Sequence, residues 1–190
     1  SSSFIIPTGN MGNSFACFIA REMGFPIQKV LFATNSNRTI YNFSKTGEWI
    51  PSSSIPTFAS AMDVGNPSNM ERFFSLYNDD KKLSREMDCI SVNDEEIIEQ
   101  IEQQFRKSNL VICPHTATAF KAYESLEKKE KNNHHWVIVS TAHPAKFENI
   151  VEPIIQESID LPTNLMTILE KESAFTVIDS DFTSLKQFLV

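Results

Sequence analysis

The chain has 190 residues, 41% of them hydrophobic and 22% charged, with a formal net charge of -7. That length suits one domain with its own core, and the balance is that of a soluble globular protein. The acidity argues against a general nucleic-acid binder, which needs a basic surface, and no run of roughly 18 apolar residues offers a transmembrane helix.

The opening Ser1-Ser2-Ser3-Phe4-Ile5-Ile6-Pro7 lacks the basic region and the long apolar run of a signal peptide and reads as a strand entered abruptly. Phe4–Ile6 is a short buried strand. A glycine-containing turn follows, and Asn13 or Ser14 can cap a helix to about Met23 with Phe15, Phe18, Ile19 and Met23 on one face. Gly24 and Pro26 end that helix, and Val30–Ala33 is the next strand. Together they predict a parallel strand–helix–strand crossover of right hand.

Residues 36–107 read as an excursion or smaller subdomain. This stretch opens rich in Asn, Ser, Thr and Pro and holds a short helix near Thr39–Ser44. Further helices are expected at about 67–77 and 94–107, the latter opened by Asn93-Asp94-Glu95-Glu96, a cap with favourable charge for the helix dipole. Leu110–Ile112 reads as a strand and residues 116–131 as a helix. Trp136–Val139 reads as an interior strand covered on both faces. A helix follows at 144–156 with Pro153 inside it. The tail from Leu161 holds a helix, a strand at Phe175–Ile178 and a last helix. Short apolar runs alternating with helical periodicity define an α/β fold.

Three cysteines, Cys17, Cys89 and Cys113, with no C-x-x-C pair, argue against a disulfide framework and for a reducing compartment. The four histidines have no ligand spacing, so no metal is expected.

Pro7-Thr8-Gly9-Asn10-Met11-Gly12-Asn13 joins a strand to a helix and holds two of the chain's 5 glycines. Glycine admits a tight turn and the close approach of an oxyanion. Amides at the start of the next helix then point at the anion, and the dipole favours it. Neither a P-loop lysine nor G-x-G-x-x-G is present, so one phosphate is the natural ligand. A tight turn whose glycines serve geometry alone fits the same pattern.

Several segments in series resemble the threonine synthases. They are P-T-G-N-M-G-N, A-T-N-S-N at 33–37, Thr46-Gly47, A-S-A-M-D-V at 59–64, N-P-S-N-M-E-R at 66–72, P-H-T-A at 114–117 and S-T-A-H-P-A-K-F at 140–147. The resemblance implies a three-layer parallel-sheet fold like the large domain of fold-type II pyridoxal-phosphate (PLP) enzymes. It implies further that residues 1–190 are the C-terminal part of that PLP-binding region, so that the fold is incomplete. The implied parent is a cytoplasmic lyase converting O-phospho-L-homoserine and water to L-threonine and phosphate.

By the same resemblance Gly9, Asn10, Met11, Gly12 and Asn13, with Thr8 adjoining, bind the cofactor phosphate, and Thr141 faces the pyridine nitrogen. The family usually has an aromatic where Met11 stands. Thr141 as a plain helix cap is the competing reading. Asn35, Asn37, Arg38, Ser60 and Asp63 are weaker candidates for substrate contact, with Asp63 equally suited to capping a turn and Arg38 to simple solvation. His115, His143 and Lys146 have no assigned chemical role.

No segment matches the family's Schiff-base lysine, so no catalytic residue is expected in this chain. It alone should lack turnover, and the N-terminal half of the parent is its expected partner. A threonine-synthase-like phosphate- or PLP-binding module without catalysis, or another fold-type II lyase such as a dehydratase, are the competing functions.

Overall fold

The computed structural model describes residues 1–189. They divide into a large unit, residues 1–159, and a small one, from residue 160 onward. In the large unit the chain runs β1 (Ser2–Pro7), α1 (Gly12–Glu22), β2 (Ile27–Thr34), α2 (Thr39–Thr46), a 3-10 turn (Ser60–Met62), α3 (Met70–Leu76), α4 (Asp80–Glu86), β3 (Asp88–Ser91), α5 (Asp94–Ser108), α6 (Pro114–Glu124), α7 (Lys128–Asn133), β4 (His135–Ile138), a second 3-10 turn (Pro144–Phe147) and α8 (Glu148–Ile155).

Four strands form one parallel sheet in the order β3-β2-β1-β4. Side chains alternate across a strand, and the core follows that alternation. Ile6, Val30 and Phe32 meet Phe18 of α1, Phe43 of α2, Phe73 of α3 and Leu83 of α4 on one face. Ile5, Leu31 and Ala33 meet Ala119 and Ala122 of α6 on the other. Phe73 anchors the first face, its ring edge-on to Phe15, Phe18 and Phe32 at centroid distances of 4.9, 5.3 and 6.2 Å. Each such buried side chain contributes roughly 2–3 kcal/mol. A further cluster joins α5, α6 and α8 through Ile97, Ile101, Ala117, Val151 and Ile155. The three-layer α/β fold expected from the sequence is the fold observed.

The helix α5 forms where a cap is readable in the sequence. Asn93 and Glu96 form a reciprocal capping box, with Glu96 N donating to Asn93 Oδ1 and Asn93 N to Glu96 Oε2, both at 2.9 Å. Strands depart further from expectation. Leu110–Ile112 forms no strand and leads instead into α6, with Leu110 exposed and Ile112 buried in the helical cluster. The second partner of β2, beside β1, is Asp88–Ser91, pairing Phe32 with Cys89. The strand at Trp136–Val139, expected in the interior, is an edge strand, half-buried along three of its four residues. The helix expected over 116–131 breaks at residues 125–127 into α6 and α7.

The small unit contains α9 (Thr163–Leu169) and α10 (Phe182–Leu189). No strand forms at 175–178, where Phe175 and Val177 are more than 80% exposed. Among the described residues no helix is long and apolar enough to cross a membrane.

Candidate functional site

Beyond the C-terminal end of β1 lies a cavity of about 230 Å³. The turn from Pro7 to Ser14 forms one side of it, Ala61 and Met62 another, and His115 and Thr141 the rest. The end of a parallel strand, where sheet and helix termini meet, is the usual ligand position in such folds.

The turn is built from opposing demands. Thr8 N donates to Ala33 O at 2.7 Å and Thr8 Oγ1 to Ile6 O at 2.7 Å, so Thr8 is tied to the sheet. Gly9 lies under the 3-10 turn of Ser60–Met62, and a Cβ there would come within 2.6 Å of Met62 Cα. Glycine is required at that close approach. Met11 takes the left-handed conformation, φ 65° and ψ 10°, and starts α1 with no side-chain cap. The Asn13 or Ser14 cap expected from sequence is therefore corrected: the helix already begins at Gly12, and Ser14 Oγ donates back to Met11 O at 3.1 Å.

Gly12 has no such packing reason to be glycine. Its φ is not positive, and a methyl group at this position would find its nearest neighbour, Asn69 Nδ2, 3.9 Å away. The amides of Gly12, Asn13 and Ser14 precede the first helical bond, Phe15 N to Met11 O at 2.8 Å, and have no acceptor within the helix. All three residues line the cavity. Unpaired amides, a dipole end and room for close approach suit a phosphate. They fit the phosphate of PLP.

Asn10 behaves differently from expectation. Its Oδ1 accepts from Ser68 N at 2.7 Å and Ser68 Oγ at 3.1 Å, and its carbonyl accepts from Asn69 Nδ2 at 2.8 Å. Its side chain thus holds the 66–69 segment beside the cavity. Asn13 is exposed with its side chain unengaged by the protein.

Thr141 lies on the same cavity, its amide donating to Thr116 Oγ1 at 3.5 Å. The cap that competed for its hydroxyl belongs to His143, whose Nδ1 accepts from Ala145 N at 3.2 Å. The Thr141 hydroxyl is left for other partners.

The weaker candidates go elsewhere. Asn35, Asn37 and Asp63 meet one another rather than the cavity. Asp63 Oδ1 accepts from Asn35 Nδ2 at 2.8 Å, from Asn37 Nδ2 at 3.2 Å and from Thr57 Oγ1 at 2.7 Å, while Oδ2 accepts from Thr57 N at 3.0 Å. Asn37 Oδ1 accepts from Ile55 N, and Asn35 Oδ1 from Asn37 N. Asn35 is fully buried and Asn37 nearly so. Asp63 clasps the excursion to the end of β2. Arg38 stacks its guanidinium over Tyr41, 4.5 Å from the ring centroid, in a separate surface hollow. Ser60 is exposed, one residue before the cavity wall.

Sequence reasoning left Ala61, Met62 and His115 without roles although both of their motifs, A-S-A-M-D-V and P-H-T-A, stood out. His115 is buried, its Nε2 accepts from Ala61 N at 3.0 Å, and its ring packs on Phe147 at 4.8 Å. Burial holds its pKa below the usual histidine range, with the Asp63 carboxylate pulling it up and Lys146 pushing it down. Buried Cys89 is pushed up to about 12 and lies away from the cavity, so it is no nucleophile there. The cavity lining among the described residues includes no lysine, and among those residues no group of three or more His, Cys, Asp or Glu is placed to hold a metal ion.

Comparison with known proteins shows the family. Residues 2–142 match the family model of pyridoxal-phosphate dependent enzymes, and residues 116–189 match that of the threonine synthase C-terminal region. The chain is 35% identical to threonine synthase of Buchnera aphidicola subsp. Schizaphis graminum and 30% identical to that of Escherichia coli, in each case over 97% of this chain and 42% of the relative. The crystal structure of PLP-bound threonine synthase from Brucella melitensis superposes with a TM-score of 0.86 at 26% identity, over 100% of this chain and 46% of that one. The chain spans less than half the length of the relatives it matches.

Proposed function

We propose that this chain, which belongs to the pyridoxal-phosphate dependent enzymes and corresponds to the C-terminal portion of a threonine synthase, contributes the cofactor-phosphate side of that enzyme's active site. The observation that carries the proposal is that Gly12, Asn13 and Ser14, which open α1, line one cavity together with Thr141. In this reading the amides of Gly12, Asn13 and Ser14 hold the cofactor phosphate, and the Thr141 hydroxyl meets the pyridine nitrogen. A neutral hydroxyl there leaves that nitrogen less firmly protonated than a carboxylate would.

The bound cofactor would supply the electron sink for proton removal next to the substrate amino group. This chain's own share is to bind, orient and enclose. Gly9 lets the Ser60–Met62 turn close over the phosphate loop, and Asp63 holds the segment behind that turn in place. The parent reaction is the conversion of O-phospho-L-homoserine and water to L-threonine and phosphate. The remaining half of the polypeptide is the proposed partner that completes the pocket and carries the attachment lysine. The cavity lined without a lysine favours a second, narrower reading for the chain by itself: cofactor binding without turnover.

Adding PLP to the isotopically labelled chain and following its amide resonances tests the proposal. The amides of Gly12, Asn13 and Ser14 should shift, and inorganic phosphate should compete. Borohydride reduction of the mixture should leave no site-specific lysine adduct, and phosphohomoserine should not turn over. Unmoved amides at millimolar PLP would remove the cofactor assignment, and a reproducible turnover would remove the reading without catalysis.

A further inference from the structure

We propose that Asn69 is a positioning residue of the phosphate turn: held by Arg72, it ties down the Asn10 carbonyl and so keeps Met11 in the left-handed conformation from which the Gly12–Ser14 amides open. The proposal deepens the cofactor reading of the cavity given above and rests on it.

Asn69 stands at the start of α3, where an asparagine ordinarily caps the helix with its side chain. It makes no such bond. Its Nδ2 donates to Asn10 O at 2.8 Å instead, and its Oδ1 accepts from Arg72 Nε at 2.9 Å. Arg72 can only donate, so its bond claims the oxygen of the Asn69 amide and leaves the nitrogen for Asn10. One residue earlier, the Ser68 amide and hydroxyl both donate to Asn10 Oδ1, at 2.7 and 3.1 Å. Residue 10 is thereby held by its carbonyl and its side chain together. The motif N-P-S-N-M-E-R at 66–72, which the cofactor reading left without a task, supplies all of these donors.

The consequence falls on Met11. At φ 65° it holds a conformation that sterics disfavour for any residue with a Cβ. That conformation turns the chain out of β1 and into α1. The carbonyl of residue 10 and the amide of residue 11 share one peptide plane, so a bond that fixes Asn10 O restrains the φ of Met11. Turning that plane over would carry Met11 out of the left-handed region and re-aim the amides that follow. A carbonyl oxygen is also a group that repels an anion. The bond turns the Asn10 oxygen toward Asn69, which among the described residues is not part of the cavity lining. Arg72 bears on the same place, its guanidinium 5.9 Å from the ring centroid of Phe15 in the first turn of α1.

Scalar coupling across the hydrogen bond, between the Asn69 side-chain nitrogen and the Asn10 carbonyl carbon, reads the contact directly in the labelled free chain and should be present. In Arg72→Leu that coupling should weaken, because nothing then keeps the Asn69 amide from turning over. Asn69→Leu keeps the side-chain shape and removes both polar atoms. These bonds lie near the surface, so the urea midpoint should hold. The residual dipolar couplings of the Gly12, Asn13 and Ser14 amides should change while those of β1 stay as they are. Affinity for PLP and for inorganic phosphate should both fall about fivefold.

Absence of the coupling across the bond overturns the proposal, and an unchanged coupling in Arg72→Leu removes the part given to Arg72. An Asn69→Leu chain that keeps the native dipolar couplings and the native PLP affinity also overturns it, since Asn69 would then only brace α3. If PLP moves the Gly12–Ser14 amides of the native chain and binds Asn69→Leu equally well, the role of Asn69 fails and the cofactor reading stands. If PLP moves none of those amides in the native chain, the cofactor reading itself fails.

Discussion

The turn at residues 8–14 and the clasp around Asp63 are both polar loops at strand ends, and they use their hydrogen bonds in opposite ways. In the clasp, Asn35, Asn37, Thr57 and Asp63 satisfy one another, with both Asp63 oxygens and both asparagine carbonyls engaged. In the turn, three successive amides open a helix with no acceptor inside it. Under the proposed function the difference separates scaffold from site: groups that have found partners in the protein hold shape, and groups without them are open to a ligand.

Substitutions on each side should break this contrast in opposite directions. Asp63→Ala has the largest expected effect, because it removes the carboxylate that accepts from the Thr57 amide and hydroxyl and from the Asn35 and Asn37 side chains; urea denaturation should show a loss of about 3 kcal/mol. Gly9→Ala should cost about 2 kcal/mol, through overlap with Met62 backbone that no rotamer relieves, and the cavity should shrink with it.

A smaller effect concerns His115. Its pKa is lowered on folding, so the unfolded chain takes up the proton first. Stability from this group is therefore intact above the unfolded value of about 6.5 and declines as pH falls below it, by at most about 1.4 kcal/mol per pH unit until the folded value is passed. Urea midpoints between pH 7.5 and pH 5.5 should drop more for the native chain than for His115→Gln. The smallest stability effect belongs to Gly12→Ala. A first-turn helical glycine with open space beside it should tolerate alanine, with a gain of up to about 0.5 kcal/mol. Calorimetric titration with PLP should nevertheless show binding weakened, since the added methyl sits on the open side of the turn. A stable Gly12→Ala chain that bound PLP as before would erase the distinction between turn and clasp.

Much of this was legible in the sequence. The two central strands, the capping box of α5 and the strand–turn–helix unit carry local signals that the structure realises, and the loop and Thr141 do line one cavity. What failed to show was whatever depends on a distant neighbour. Asp88-Cys89-Ile90-Ser91 is too short and too polar to read as a strand, and it becomes one only because Leu31 to Thr34 offer it a ladder. Leu110–Ile112 looks like a strand because a buried connector and a strand share the same apolar run. Asn35 and Asp63 looked like ligand contacts because a residue type says nothing of whether its hydrogen bonds are already taken. His115 was named but given no chemical role, because its orphaned nitrogen exists only once Ala61 has claimed the other.

Met11 belongs to both the core and the ligand space. Its backbone takes a left-handed turn that costs a non-glycine residue about 1 kcal/mol, while its side chain, 1% exposed, plunges into the cluster of Ile6, Phe18 and Phe73. The thioether is thus a tether, while Met11 also lines the cavity. What the core asks of this side chain is bulk and apolarity rather than ligand chemistry. An aromatic or a methionine can serve alike, whereas a polar replacement would loosen the phosphate turn from below without touching anything it binds.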